Sequence, residues 1–214
     1  MVLEGGDGVG KTTQLPRLVA ALVAQGIDVR TIREPGGTPA GDAIRALLLD
    51  PGSDLEPRSE LLLFLAARAQ VVHDVIRPAL DAGTWVVADR FFVSTYAYQG
   101  AGHGLPLPAV QGANALATGG LVPDLTLVLT VDAATAAARR ASRGAGDRME
   151  RHGAAFAARV EAAYREALSP DWQRAHPECG PIVGVDADGT PDEVTARLVA
   201  IVVERTTPLV TLIS

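Results

Sequence analysis

Short apolar runs alternate along this chain with longer stretches in which apolar residues recur every three or four positions. The runs at 2–3 (VL), 27–35 (IDVRTIREP), 84–90 (TWVVADR), 125–131 (LTLVLTV) and 181–187 (PIVGVDA) are rich in Val, Leu and Ile. They read as strands covered on both faces of a parallel sheet. Helical periodicity fills the intervals: 11–24, with Leu15, Leu18, Val19 and Leu22 on one face, then 39–49, 57–81, 91–100, 106–118, 133–142, 150–168 and 191–205. Strands alternating with helices predict an α/β, doubly wound domain whose ligands sit at the carboxyl ends of the strands.

No internal repeat or long linker divides the chain, so one domain over 1–214 is expected. The first strand has only about three residues before a glycine-rich turn, where about five or six are usual. Either the sheet tolerates a stub, or the true start lies upstream of Met1. The stretch RGAGDR at 143–148 is the best candidate for a mobile loop, and the apolar tail TTPLVTLIS has no functional reading.

Composition narrows the classes. With 48% apolar residues but no charge-free run approaching the roughly 18 to 20 that a membrane helix needs, a soluble protein is expected. The opening MVLEGG lacks the basic, apolar and small-residue segments of a leader, which makes the cytoplasm the expected compartment. A net charge of −6 and 4% aromatic residues supply neither the basic footprint nor the stacking platform of a nucleic-acid binder. The lone Cys179 excludes an intrachain disulfide and a cysteine-based zinc site.

Against that background Lys11 stands out: it is the only lysine, in a chain that otherwise uses arginine. It sits in EGGDGVGKTT (4–13), where Gly5, Gly10, Lys11 and Thr12 satisfy G-x-x-x-x-G-K-[ST] between a strand and a helix. Glycines let successive backbone N–H groups face phosphate oxygens, and the helix N-terminus adds its positive dipole. The phosphates of a nucleotide are therefore expected over Gly5, Gly6, Asp7, Gly8, Val9, Gly10, Lys11, Thr12 and Thr13, the set that the family resemblance given below assigns to ATP. Lys11 would reach the β- and γ-phosphates and Thr12 would ligate Mg²⁺. A compact ammonium on a flexible stem fits inside such a loop where a planar guanidinium would not.

The loop alone leaves three classes open: a small-molecule kinase, a GTPase switch, and an ATPase acting on a macromolecule. An N-K-x-D guanine signature cannot exist here, since the only Asn (Asn114) precedes Ala and the only Lys is in the loop. At the end of the third run, Asp89 ends an apolar strand as a Walker B aspartate does and is a second candidate ligand for Mg²⁺. Arg90 beside it would face the same crevice, where a second phosphate could lie.

Here the sequence resembles the bacterial thymidylate kinase family of P-loop nucleoside monophosphate kinases. The resemblance rests on EGGDGVGKTT, REPGGT (33–38), LLLFLAARAQ (61–70), ADRFFVSTYAYQG (88–100) and PDLTLVL (123–129), in the family's order and spacing. It implies a P-loop kinase fold with a five-stranded parallel sheet, a small mobile lid at about 139–150, and transfer of phosphate from ATP to dTMP. It further implies that Phe64 stacks on the thymine and that Arg68 hydrogen-bonds a base carbonyl. The i, i+4 spacing puts this pair on one helix face. Thr95 and Gln99 are implied at the base edge with Ser94 beside them, Tyr98 against the sugar, Arg45 and Arg90 on the acceptor phosphate, and Glu34 and Asp7 near the acceptor sugar and phosphate.

The expected catalytic set is Lys11, Arg90, Asp7 and two lid arginines. Gly8 occupies the loop position that carries an arginine in part of the family, so the resemblance implies the type in which the lid supplies the charge. Of Arg139, Arg140, Arg143 and Arg148, the pair Arg143 and Arg148 is expected to do so. A homodimer pairing through helices is also implied.

Overall fold

Five parallel strands stand in the order β2-β3-β1-β4-β5, running Val2–Glu4 (β1), Val29–Arg33 (β2), Trp85–Asp89 (β3), Thr126–Thr130 (β4) and Ile182–Asp186 (β5). The computed structural model describes residues 1–141, 148 and 152–210, the side chains of Arg140 and 207–210 excepted. Burial follows position in the sheet. Every residue of the central β1 is buried, as are four of the five in β4, whereas in the edge strand β2 only Ile32 is.

The short β1 is paired on both sides, Val2 with Ala88 and Thr126, Leu3 with Asp89 and Leu127. The backbone on either side of it is also held: the Met1 ammonium donates to Val86 O at 2.8 Å and Arg90 N donates to Leu3 O at 3.0 Å. Because Leu3 is level with Asp89, whatever follows β1 must lie beside whatever follows β3. The chain turns from β3 to β4 across β1, so this is also the point where strand order reverses and a ligand crevice opens.

Helices cover both faces. On one side α1 (Lys11–Val23) and α10 (Pro191–Val210) pack together over Leu3, Val87, Leu127 and Leu129. On the other, α3 (Pro57–Val71), α6 (Leu107–Thr118) and α8 (Gly153–Glu166) enclose a core that includes Phe91, Phe92, Tyr96 and Phe156. The helix α2 (Pro39–Leu49) has the predicted bounds, because Thr38 Oγ1 accepts from Gly41 N at 3.0 Å and Pro39 fixes the first turn.

Two of the predicted helical segments depart from a plain α-helix. The segment 57–81 is not uniform: α3 passes into a π-helical turn, Val72–Ile76, before α4 (Arg77–Asp81). Pro78 lacks the N–H that would continue the α-helical ladder and crowds the preceding turn. The segment 91–100 becomes a single turn, α5 (Phe92–Thr95), followed by a π-helical stretch, Tyr96–Gly102. After α7 (Ala133–Ala141) and α8, a short α9 (Pro170–Ala175) and a 3₁₀ turn, Pro177–Cys179, were not predicted. Their signal was present: Ser169 caps Trp172 N, and prolines stand at both first positions.

Candidate active site

The glycine-rich turn leaves β1 at Glu4 and enters α1 at Lys11. Gly5 has φ 130°, and a Cβ there would stand 2.6 Å from Leu129 O, so no other residue fits against β4. Gly8 and Gly10 also lie at positive φ. Lys11 is buried, and its Nζ donates to Gly5 O at 2.7 Å and Gly6 O at 3.0 Å. Burial and the nearby Arg90 guanidinium lower its pKa from 10.5 to about 7, against the opposing pull of Asp7, Asp89 and Glu4.

Across from the loop, Arg90 holds a left-handed backbone, φ 72°, which is unfavourable for a side chain with a Cβ. Both terminal nitrogens of its guanidinium are engaged: Nη1 donates to Gly5 O at 3.1 Å and Tyr164 Oη at 3.0 Å, and Nη2 to Asp7 Oδ1 at 2.5 Å. Burial works against its charge, yet Tyr98, Tyr164, Asp7 and Glu4 together raise its pKa above the ordinary value. Tyr98 Oη donates to the other oxygen of Asp7 at 2.7 Å. The carboxylate inside the phosphate loop is thus compensated by a cation and a phenol.

Glu4, the last residue of β1, is fully buried and was not anticipated as part of the site. Its Oε1 accepts from Phe91 N at 2.8 Å and Ser94 N at 3.0 Å, and its Oε2 from Ser94 Oγ at 2.6 Å and Tyr164 Oη at 3.1 Å. The peptide that follows Arg90 is therefore fixed from β1. A Glu at the end of an apolar strand is its only sequence signal.

A second buried ion pair lies on the wall formed by α3. Arg68 Nε and Nη2 donate to Glu34 Oε2 at 2.7 and 2.5 Å. Nη1 donates to Thr95 Oγ1 at 2.9 Å and to Asn114 Oδ1 at 2.6 Å, and Nη2 also to Phe91 O at 2.8 Å. All five donors of Arg68 are thereby engaged within the protein. Burial raises the pKa of Glu34 although Arg68 opposes it. Glu34 precedes a cis Pro35, and Arg45 Nη1 donates to Pro35 O at 2.9 Å.

These groups bound a single cavity of about 260 Å³. Its wall contains Asp7, Gly8, Gly10, Lys11 and Thr12 from the phosphate loop, together with Asp89. It also contains all ten side chains expected around the acceptor: Asp7, Glu34, Arg45, Phe64, Arg68, Arg90, Ser94, Thr95, Tyr98 and Gln99. Asp89 Oδ1 is buried and has no hydrogen-bond partner among the described residues. An unpartnered carboxylate oxygen on the same wall as the Thr12 hydroxyl is the donor set a hard divalent cation takes, so the residues present fit Mg²⁺. A further cavity of about 280 Å³ adjoins the loop's outer side, between Val9, Gly10 and Thr13 and the segment after β5, with Arg139, Ala187 and Gly189 on its wall.

One expectation meets a different picture. Arg148, expected over the donor phosphates, is buried elsewhere: its Nε donates to Leu48 O at 2.7 Å and its Nη2 to Glu60. Arg143 lies outside the described residues, as does most of the expected lid.

A strand, a glycine loop closed by a lysine, and an aspartate on the neighbouring strand, opening on a crevice with room beyond the loop, define a P-loop phosphotransferase fold. Residues 3–176 match the sequence model of the family described as Thymidylate kinase. The chain is 45% identical over 205 residues to the thymidylate kinase of Deinococcus radiodurans, covering 96% of each chain. It is 45% identical over 202 residues to that of Rhizorhabdus wittichii, covering 93% of this chain and 94% of the relative. To that of Synechococcus sp. strain JA-2-3B'a(2-13) it is 46% identical over 211 residues, covering 99% and 97%. The chain belongs to the thymidylate kinase family. Among the described residues no helix is long and apolar enough to cross a membrane.

Proposed function

We propose that this chain transfers the γ-phosphoryl group of ATP to dTMP, giving dTDP. The observation that carries the reading is the shared cavity: the Lys11 loop and the Phe64, Arg68 and Gln99 side chains line one space. A donor phosphate on the loop and a pyrimidine against Phe64 would then face each other through Arg90 and Asp7. The donor's adenine fits the outer cavity between Thr13, Arg139 and the Ala187–Gly189 turn.

Little covalent chemistry is asked of the protein, because a phosphate monoester oxygen is already a competent nucleophile near neutral pH. Positioning and charge carry the reaction. Lys11 exchanges the carbonyls of Gly5 and Gly6 for phosphate oxygens, and Arg90 holds the acceptor phosphate in line. Arg45, one helix away, supplies a second cation. Tyr98, fixed by Asp7, stands where a ribose 2′-OH would need room, which favours a deoxyribose. Thr12 and Asp89 would hold Mg²⁺, which when bound offsets the negative charge of the donor phosphates. Arg143 remains the proposed lid arginine. The place of Arg148 against Glu60 and Leu48 favours an acceptor-side role for that residue instead.

Exposed leucines on three neighbouring helices, Leu47 on α2, Leu62 on α3 and Leu116 on α6, support pairing of two copies. A coupled ADP-release assay over a panel of monophosphates tests the activity. Turnover with dTMP well above that with GMP, CMP or AMP is expected; equal turnover would remove dTMP as the acceptor.

A further inference from the structure

We propose that Glu60 is the positioning residue that decides which way the Gln99 amide faces, and through it which base edge the acceptor cavity accepts. This rests on the cavity being the site of a nucleoside monophosphate.

Glu60 lies in the first turn of α3 and is completely buried. Its Oε1 receives Gln99 Nε2 at 2.8 Å and His103 Nε2 at 3.0 Å, and its Oε2 receives Arg148 Nη2. An ionised carboxylate only accepts hydrogen bonds. The end of the Gln99 amide that faces it must therefore be the nitrogen, whichever way an isolated amide might be drawn. Burial alone would raise the pKa of Glu60, but the hydrogen bonds from His103, Gln99 and Arg148 outweigh it and set the value at about 2. Glu60 is thus ionised at any pH at which the enzyme works.

The consequence falls on the cavity side. Gln99 lines the cavity, and among the described residues its side chain makes no hydrogen bond besides the one to Glu60. With one N–H directed at Glu60, the amide has a carbonyl oxygen and a second N–H left to offer. That pair complements an imide edge, an N3–H beside a carbonyl, as in thymine and uracil. Cytosine presents the reverse, a bare N3 beside an amino group, so oxygen would meet lone pair and N–H would meet N–H. Sites that hydrogen-bond a substrate edge discriminate steeply, because the mismatched analogue leaves buried polar groups unpaired. A Gln99 free to rotate would serve either edge, and it is Glu60 that removes this freedom.

The test compares Glu60→Gln and Glu60→Asp with the parent chain, reading kcat/KM for dTMP and dCMP at saturating ATP and KM for ATP. In Glu60→Gln the new amide can donate as well as accept, so Gln99 is released. The preference for dTMP over dCMP is expected to fall by about tenfold or more, mainly through KM for dTMP, with KM for ATP within about twofold. Glu60→Asp, which still only accepts, should recover part of the preference. A folded Glu60→Gln variant with the parent's preference would overturn the proposal, since a merely structural role predicts lower stability at unchanged selectivity.

If Glu60→Gln does not fold, nitrogen spectra of the parent chain labelled at glutamine decide. The Gln99 amide is assigned by its loss in Gln99→Met. One strongly hydrogen-bonded and protected Nε2 proton, retained when dTMP binds, supports the proposal, and two protons like those of free glutamine overturn it. Absence of dTMP turnover in the parent chain would instead remove the acceptor assignment, which the nitrogen spectra do not depend on.

Discussion

Arg90 Nη2 stands 2.5 Å from Asp7 Oδ1, closing an ion pair between the residue after β3 and the middle of the phosphate loop. The two belong to turns at the carboxyl ends of neighbouring strands, and the pair is four-fifths to three-quarters buried, with side chains 20% and 28% exposed. Arg90 is thereby oriented before any acceptor phosphate arrives.

Asp7→Asn keeps the shape of the side chain and removes its charge. A charge-assisted hydrogen bond contributes about 1.5–3 kcal/mol, so kcat/KM for dTMP is expected to drop by about 10- to 100-fold. Thermal unfolding should shift down by only about 3–10 °C, leaving the chain folded under assay conditions. Steady-state kinetics beside a melting curve check this, and unchanged kinetics would detach Asp7 from the acceptor phosphate.

Lys11 titrates near pH 7 in the folded chain and at 10.5 when unfolded. Between these values the unfolded chain binds more protons, so stability rises with pH over that window. Below about pH 7 the cost of burying the ammonium is present in full. A bound phosphate reverses the balance by favouring the charged form. At about pH 8, ATP binding should therefore take up close to one proton at this site. Calorimetry in buffers of different ionisation enthalpy measures it, and no net uptake would contradict the assignment of Lys11 to the donor phosphates. Lys11→Arg should cut turnover strongly with the fold intact.

Arg68 and Glu34 are almost wholly buried, at 2% and 4% exposure. Arg68→Ala leaves a carboxylate without its cation, and a loss of about 3–5 kcal/mol is expected in denaturant unfolding. Affinity for dTMP should fall far more than affinity for ATP. Equal weakening of both would take Arg68 out of the acceptor half of the cavity.

Leu62 and Leu116 are 63% and 87% exposed on adjoining helices. Light scattering is expected to give the mass of two chains for the parent and of one for Leu62→Asp. A monomeric parent chain would leave these leucines without a partner in solution.

Much of this fold was legible in the chain. The five strands were readable because each is a compact apolar run, and the phosphate loop because its glycines and lysine must keep fixed spacing. Side chains whose partners are remote in sequence were not. Glu60 looks like an ordinary first-turn glutamate of α3, and only the packing of the Tyr96–Gly102 turn brings Gln99 and His103 against it. Glu4 gains its meaning from Phe91 and Ser94. Phe64 reads as core by pattern, and its place on the cavity wall came from the family resemblance. The π-helical turns follow tertiary packing that a 3.6-residue period does not encode. For Arg148, spacing identified an arginine-rich segment but carried no information on which wall its side chain would meet.

The position of β1 also bears on how the molecule is made. This strand precedes its partners along the chain: it pairs with residues near Ala88 and Thr126, so no neighbouring strand can hold it until synthesis has passed Ala88. Pairings this distant in sequence form late and slowly, because a long loop must close before any contact rewards it. The phosphate loop, anchored at the end of that strand, is therefore among the last parts to take shape. ATP present during refolding would act chiefly on the final step, by capturing a loop that the assembled sheet has only just fixed.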